Sequence, residues 1–438
     1  MRTNRSALLP PVKTHEGAPA RHITPLLELR RSALSALLFE DSFYEKGGKP
    51  AERVAALIAQ CKAADVAALA VECRDRMYLR HMPLFLIREL ARIKGNGTLV
   101  STALERCIQR PDELTEYLAI YWKDGRQPVS AGSKRGLAKA FRKFNAETLA
   151  KYDRAHAVKL RDVLRIVHSK PDSADQSATW KTLIAGELPS PDTWEVALSS
   201  GADKRETFER LMRERKIGGL AFLRNLRNMI AANVDTGLMR ERFAGGFGKV
   251  LPFRFVAALR HAPQFVRELD GAMQRCLNDV PKLPGRTGVL VDVSGSMDHS
   301  LSEKSEMNRI DAAAGLAVLV SAIAEYPRVF TFSEQLMEVP PFAGLALVDT
   351  IQKSQPHLST YLGASVERLN QEPLDRLIVI TDEQSHDRVP NPTMRGYLIN
   401  VATYQHGVGY GPWVHIDGWS ERVIDFVREY EASDVPAA

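Results

Sequence analysis

The chain has 438 residues, 45% apolar, 26% charged and 7% aromatic, fractions that exclude a disordered, collagenous or fibrous polypeptide and leave room for two or three domains. No apolar run approaches the ~20 residues of a membrane span, and the basic N-terminus lacks the apolar stretch of about 7–15 residues found in a secretory signal, so a cytoplasmic protein with no membrane contact is expected. The formal charge of +6 is unevenly divided: residues 1–284 carry 48 Lys and Arg against 32 Asp and Glu, whereas residues 285–438 carry 11 against 21. A basic part joined to an acidic one points to a polyanion-binding module beside a different one. The four cysteines, Cys61, Cys73, Cys107 and Cys276, form no CxxC pair and read as small buried hydrophobes in a reducing compartment.

Residues 1–22 hold three prolines and no periodicity, and read as a tail. From about residue 23 to 280 the pattern is helical almost throughout, and residues 23–284 read as one helical-repeat domain. Val54, Leu57, Ile58 and Cys61 recur at the 3,4 spacing, as do Val66, Leu69, Ala70 and Cys73, with Asp65 placed to cap the second run. Further helices are predicted over 82–94, 100–109, 111–122, 136–152, 159–168, 176–186, 193–199, 205–215, 218–233 and 252–259. Short amphipathic helices in succession suggest a solenoid of HEAT-like pairs.

After the Pro/Gly-rich joint at 281–285 the signature changes, and residues 285–438 read as a second domain. Continuous apolar runs at 287–293, 328–333, 375–382 and 396–403 suit strands buried on both faces. They alternate with helices over 308–325, 361–370 and 420–430, which predicts a doubly wound, Rossmann-like α/β domain. Ligands of such sheets bind at the carboxyl ends of the strands.

There the first strand ends in Asp292, Ser294 and Ser296, another ends in Asp382, and a loop between them carries Thr360. Carboxylates and hydroxyls without Cys or His are hard oxygen donors, suited to one divalent cation, Mg²⁺ with Mn²⁺ as a substitute. Gly295 is expected to give the loop its turn. A helix cap or satisfied loop amides would use the same residues; their place after an apolar strand, with a second strand ending in Asp, favours the metal.

The sequence DVSGSM (292–297), with Thr360 and the Asp of VITD (379–382), resembles the von Willebrand factor A domain and its metal-ion-dependent adhesion site. The resemblance implies that Asp292, Ser294, Ser296, Thr360 and Asp382 bind one cation, Asp382 through water, and that an acidic group of a partner completes the shell. Gly-Gly commonly precedes the Thr in that family; Leu358 and Ser359 stand here.

Residues 123–170 hold thirteen Lys and Arg against four acids. On a helix Arg135, Lys139, Arg142 and Lys143 fall roughly on one face, suited to several phosphates. Lys134, Lys151, Arg165, His168 and Lys170 lie close by in sequence. A solvated charged face is the alternative; the basic balance of the whole helical part favours nucleic acid.

The segments KRGLAKAFRKFN (134–145), LAKY (149–152), LRDVLRIVHSKP (160–171), GLAFLRNLRNM (219–229) and LPFRFVAALR (251–260) resemble the TROVE module of the Ro autoantigen family, and HIDGWSERVIDFV (415–427) resembles the closing segment of its A domain. The resemblance covers about residues 25–432. It implies a monomeric ring of helical repeats closed by the A domain. Such a ring binds small non-coding, Y-like RNA on its outer surface and threads single-stranded 3′ ends of misfolded structured RNAs. In bacteria it works beside an exoribonuclease in RNA quality control or maturation. Lys151 and His168 are similar to the family's RNA-contacting positions; the other basic residues are assigned from charge and spacing.

Two other readings compete. In one, the A domain's cation grips an acidic partner and the helical part is only a scaffold. In the other, the protein is an enzyme, but there is no GxxxxGK[ST] loop, no second metal site and no general base with a positioned partner. A non-catalytic RNA-binding protein is therefore expected.

Overall fold

The computed structural model describes residues 12–14, 16–19, 23–35, 49–77, 79–153, 157–190, 192–247, 250, 252–278, 280–301, 307–402, 406–409, 411–418, 427–428 and 430–431. The first ten helices are α1 (Pro25–Ser35), α2 (Lys49–Ile58), α3 (Ala63–Asp75), α4 (His81–Arg92), α5 (Gly97–Cys107), α6 (Pro111–Tyr121), α7 (Ala131–Phe141), α8 (Ala146–Tyr152), α9 (Leu160–Val167) and α10 (Ala174–Ala185). One apolar core, from Leu29 to Leu183, joins them. Packing runs down the array, α3 on α4 and α5, α5 on α7, and α7 on α9, as stacked helix pairs require.

Capping chemistry decides where several of these helices begin. The single helix predicted over 136–152 is two, because Asn145 Oδ1 accepts the Thr148 N–H at 2.9 Å and starts α8. Asp65 does not cap α3; that place belongs to Lys62, and Asp65 lies in the first turn, where a carboxylate favours the helix dipole.

The chain continues through α11 (Trp194–Ser199), α12 (Lys204–Arg213), α13 (Gly219–Ala231), α14 (Thr236–Ala244), α15 (Pro252–His261) and α16 (Val266–Asn278). Helices α14 and α16 have no counterpart among the predicted helices. Among the described residues of 184–207 no apolar side chain is buried, so a thin connection separates the first core from the next. That second core runs from Phe208 to Val427 and unites α12–α16 with one face of a sheet.

The sheet holds β1 (Leu283–Asp292), β2 (Ala324–Phe332), β3 (Leu336–Glu338), β4 (Arg376–Thr381), β5 (Arg395–Asn400) and β6 (Val414–Asp417) in the order β3-β2-β1-β4-β5-β6. All pairs are parallel except the β2–β3 edge. Helices α17 (Arg309–Ile323) and α18 (Gly344–Gln352) share the core on one face with Val289, Val291, Ile378 and Ile380. Helix α19 (Leu362–Leu369) packs on the other with Leu290, Leu377, Val379 and Leu398. This is the doubly wound arrangement that the apolar runs predict. Strands β3 and β6 lie outside the predicted strands. The predicted terminal helix over 420–430 lies outside the described residues apart from 427, 428 and 430, which are helical.

The helical array meets the α/β unit at both ends. Helices α15 and α16 pack on α17 and α18, and α1 packs on β6. Part of the segment read as a tail takes part in this return contact. Thr14 is buried and donates through Oγ1 to the Ser385 carbonyl at 2.9 Å, and Glu16 reaches His386 at 3.2 Å. The packed elements thus form a closed loop.

Candidate functional site: an oxygen-lined centre and a basic surface

Neighbouring parallel strands β1 and β4 bring Asp292 and Asp382 together at their carboxyl ends, both fully buried. Ser294 N–H donates to Asp292 Oδ1 at 2.9 Å, and Thr381 Oγ1 donates to Asp292 Oδ2 at 2.5 Å. The loop then turns through a short 3₁₀ segment, Gly295–Asp298, with the Ser294 and Ser296 hydroxyls 3.3 Å apart. Gly295 does not use a left-handed conformation. Its N–H donates to the Leu358 carbonyl at 2.9 Å, and a Cβ here would make only ordinary contact, 3.4 Å from the His357 oxygen, so neither backbone conformation nor space requires glycine.

Thr360 is buried in the loop before α19, its N–H on His386 Nδ1 at 3.1 Å and its carbonyl accepting from His386 N–H at 2.9 Å. Leu358 N–H donates to Ser333 Oγ at 2.8 Å, which ties the same loop to the end of β2. The 292–296, 358–360 and 382–386 segments are thus hydrogen-bonded neighbours at one end of the sheet.

Burial, and the Asp382 carboxylate next, push the Asp292 carboxyl up to about 7. Two buried carboxylates beside serine hydroxyls carry more negative charge than the one neighbouring guanidinium, Arg309, balances, a donor set that fits a hard divalent cation. Among the described residues no three His, Cys, Asp or Glu side chains gather as a metal-ligand group; the donor set here is two carboxylates and hydroxyls.

Three residues at this centre carry no signal in the sequence pattern. Arg309, at the start of α17, is 4% exposed and donates to Asp382 Oδ2 at 3.3 Å and to the Ser296 carbonyl at 3.2 Å. Glu383, directly after Asp382, has φ +62° and is fully buried. Its carboxylate meets Arg31 of α1 at 2.5 Å, accepts from His415, and takes the Val408 and Gly409 N–H groups at 2.8 and 2.9 Å. Burial alone would raise this carboxyl; Arg31 and His415 outweigh it and hold it far below the usual carboxylate range. Arg309, Glu383 and Arg31 each gain a partner only through the tertiary fold.

The predicted basic residues divide into two groups. Helix α7 lies so close to α5 that a Cβ on Gly132 would stand 2.7 Å from the Gly97 oxygen, and one on Gly136 2.7 Å from Leu104 Cβ. That approach turns Arg135 and Lys139 outward, with Lys134 half-buried. Lys139 pairs with Glu105 at 3.1 Å and Arg142 with Asp172 at 2.9 Å. Lys143 caps the end of α5, donating to the Glu105 carbonyl and, at 2.8 Å, to that of Ile108. Desolvation of the nitrogen against α5 draws its ammonium below the usual lysine range, although the residue as a whole is exposed. The single cationic face read from helical spacing is therefore partly occupied by the chain itself, because α7 ends at Phe141 and Lys143 turns back to α5.

Arg135, Lys151, Arg165, His168 and Lys170 are exposed. His168 ends α9 in the left-handed region at φ 51°, and next to it Ser169 Oγ donates to the Ala138 carbonyl of α7 at 2.9 Å. The turn with His168 and Lys170 is thereby fastened to α7. Arg165 lies 4.0 Å from Asp162, and Lys151 lies 5.8 Å from the Tyr152 ring.

No family model matches the chain, and no curated protein matches it. Among solved structures it is similar to the Ro (RSR) protein of Deinococcus radiodurans, with a TM-score of 0.60 and 18% identity over 94% of this chain and 100% of that one. A structure of an aerotolerance-related membrane protein from Bacteroides fragilis overlies 26% of this chain and 67% of its own at 17% identity, with a TM-score of 0.22. No described helix is long and apolar enough to cross a membrane. In fold, the chain is a helical TROVE-like array followed by a von Willebrand A-like domain, the architecture of the D. radiodurans Ro protein.

Proposed function

We propose that the chain is a non-catalytic RNA-binding scaffold of the Ro type. The observation that carries this reading is that Arg135, Lys151, Arg165 and Lys170, with the imidazole of His168, are all exposed on α7–α9 and the turn that follows. These residues belong to a helical part whose excess of Lys and Arg is set against an acidic A-like domain. Guanidinium and ammonium groups spaced over a rigid array neutralise phosphates and release counterions, which gives salt-sensitive capture with selectivity for shape and unpaired ends. The RNAs proposed are a small non-coding, Y-like RNA and misfolded structured RNAs with a single-stranded 3′ end, handled in RNA quality control or maturation together with an exoribonuclease. The triple change Arg135→Glu, Lys151→Glu, Lys170→Glu should weaken diverse RNAs together. It should also flatten the log–log salt slope by about 0.7–0.9 for each phosphate no longer neutralised. An unchanged slope in a folded triple variant counts against this surface as the RNA-binding face.

The oxygen-lined centre is proposed to hold one divalent cation, Mg²⁺ with Mn²⁺ as a substitute, through Asp292, Ser294, Ser296, Thr360 and Asp382. Bound there, the cation supplies a positive point for an acidic group of a partner.

A further inference from the structure

At the oxygen-lined centre one of the two buried carboxylates already has a permanent cation beside it. Arg309 Nη1 lies 3.3 Å from Asp382 Oδ2 and 3.2 Å from the Ser296 carbonyl, so the guanidinium touches two of the segments that would ligate a metal. Its position is built in. Asn308 caps α17, with its Oδ1 accepting the Asp311 N–H at 2.9 Å and its own N–H on Asp311 Oδ2 at 2.8 Å, and Arg309 is the first residue of that helix. A guanidinium has only donors and keeps its charge at every working pH. It therefore neutralises Asp382 in the cation-free protein and repels any dication that arrives. Asp292, by contrast, accepts from the neutral donors Ser294 N–H and Thr381 Oγ1.

We propose that Arg309 sets the affinity of this centre for divalent cations. It acts as a resident counter-charge on Asp382 that a metal must outcompete, so the site fills in response to free cation concentration instead of holding a permanent ion. The inference rests on the metal reading given above. It makes Arg309 an affinity-setting residue without making it a ligand.

The test is Mn²⁺ binding to the full chain after chelator treatment, followed by electron paramagnetic resonance of the free ion. Arg309→Met, which removes the charge and keeps an apolar stem of similar reach, should bind Mn²⁺ roughly tenfold more tightly or better. Arg309→Lys, which keeps the charge, should stay near the parent. In chelator, Arg309→Met should melt lower than the parent and recover with Mn²⁺ by a larger step. Arg309→Gln, which keeps a donor for the Ser296 carbonyl, replaces it if the methionine variant does not fold. Equal or weaker Mn²⁺ affinity in the folded neutral variants overturns the role of Arg309 while leaving the metal site standing. Absence of Mn²⁺ binding in parent and variants alike overturns the metal reading itself.

Discussion

Arg31 and Glu383 stand 352 positions apart in sequence and meet at 2.5 Å, both side chains almost wholly shielded from water. The pair joins α1 to the residue that follows Asp382, so closure of the helical array and the geometry of the oxygen-lined centre share one buried ion pair. Removing Arg31 leaves the Glu383 carboxylate with only His415 and two backbone N–H groups, and breaking a buried pair of this kind costs about 3–5 kcal/mol. Arg31→Met should therefore destabilise strongly. The double variant Arg31→Met, Glu383→Gln should recover part of that stability, because no buried charge is then left alone. Urea melts of the two singles and the double, read as a cycle, check this; additive effects would show that the pair is not coupled.

The same carboxylate fixes an acid limit. Its folded pKa lies below the ordinary value of 4.5, so Glu383 contributes stability that is fully present above the unfolded pKa and is lost as pH falls below it toward the folded one. Stability linked to Glu383 should thus hold through mildly acidic pH and decline below about pH 4.5. Glu383→Gln should be less stable at neutral pH and show a shallower acid limb in pH-dependent melts.

Asp292 behaves in the opposite sense, since burial and Asp382 penalise its charged form. Asp292→Asn should raise the melting temperature in chelator and abolish any rise on adding Mg²⁺, as read by calorimetry. A variant that still gains stability from Mg²⁺ would place the cation elsewhere.

Lys143 is basic by composition and structural by its bonding. Its ammonium serves the terminal carbonyls of α5, and because the residue is exposed the net contribution is about 0.5–1.5 kcal/mol. Lys143→Met should lower stability on that order and leave the salt slope of RNA binding unchanged. Lys170→Glu should do the reverse. Paired denaturation and binding series separate the two.

The α5–α7 crossing sets where the basic surface lies. A Cβ at Gly136 would be 2.7 Å from Leu104 Cβ and 2.9 Å from the Ser101 oxygen, and overpacking of that kind costs about 1–3 kcal/mol. Gly136→Ala is expected to destabilise by such an amount in equilibrium unfolding, whereas Ala138→Ser on the half-buried side of α7 should not.

What can be read from the sequence is governed by local physics. The apolar runs of β1 and β4 announce buried parallel strands, and they also locate Asp292 and Asp382, because a strand end is a local event. β3 has only three residues and β6, Val-His-Ile-Asp, is half polar, so neither gives a run to detect. Helices α7 and α8 read as one because the basic and apolar residues flanking Asn145 continue a helical rhythm; the cap interrupts it. Periodicity places Lys143 on a cationic face, yet the helix stops two residues earlier and the side chain answers to α5. Arg31, Arg309, Glu383 and His415 acquire meaning only when distant segments meet, and no spacing rule reaches across such separations in the chain.

Binding of the full chain to two structured RNAs, alike except for a single-stranded 3′ extension, measured across a salt series, tests the proposed capture of RNA ends most directly. Tight, salt-sensitive binding that requires the extension is the predicted result. Equal binding to both RNAs would reduce the basic surface to a general polyanion-binding face, and no binding at moderate salt would contradict the RNA-binding reading altogether.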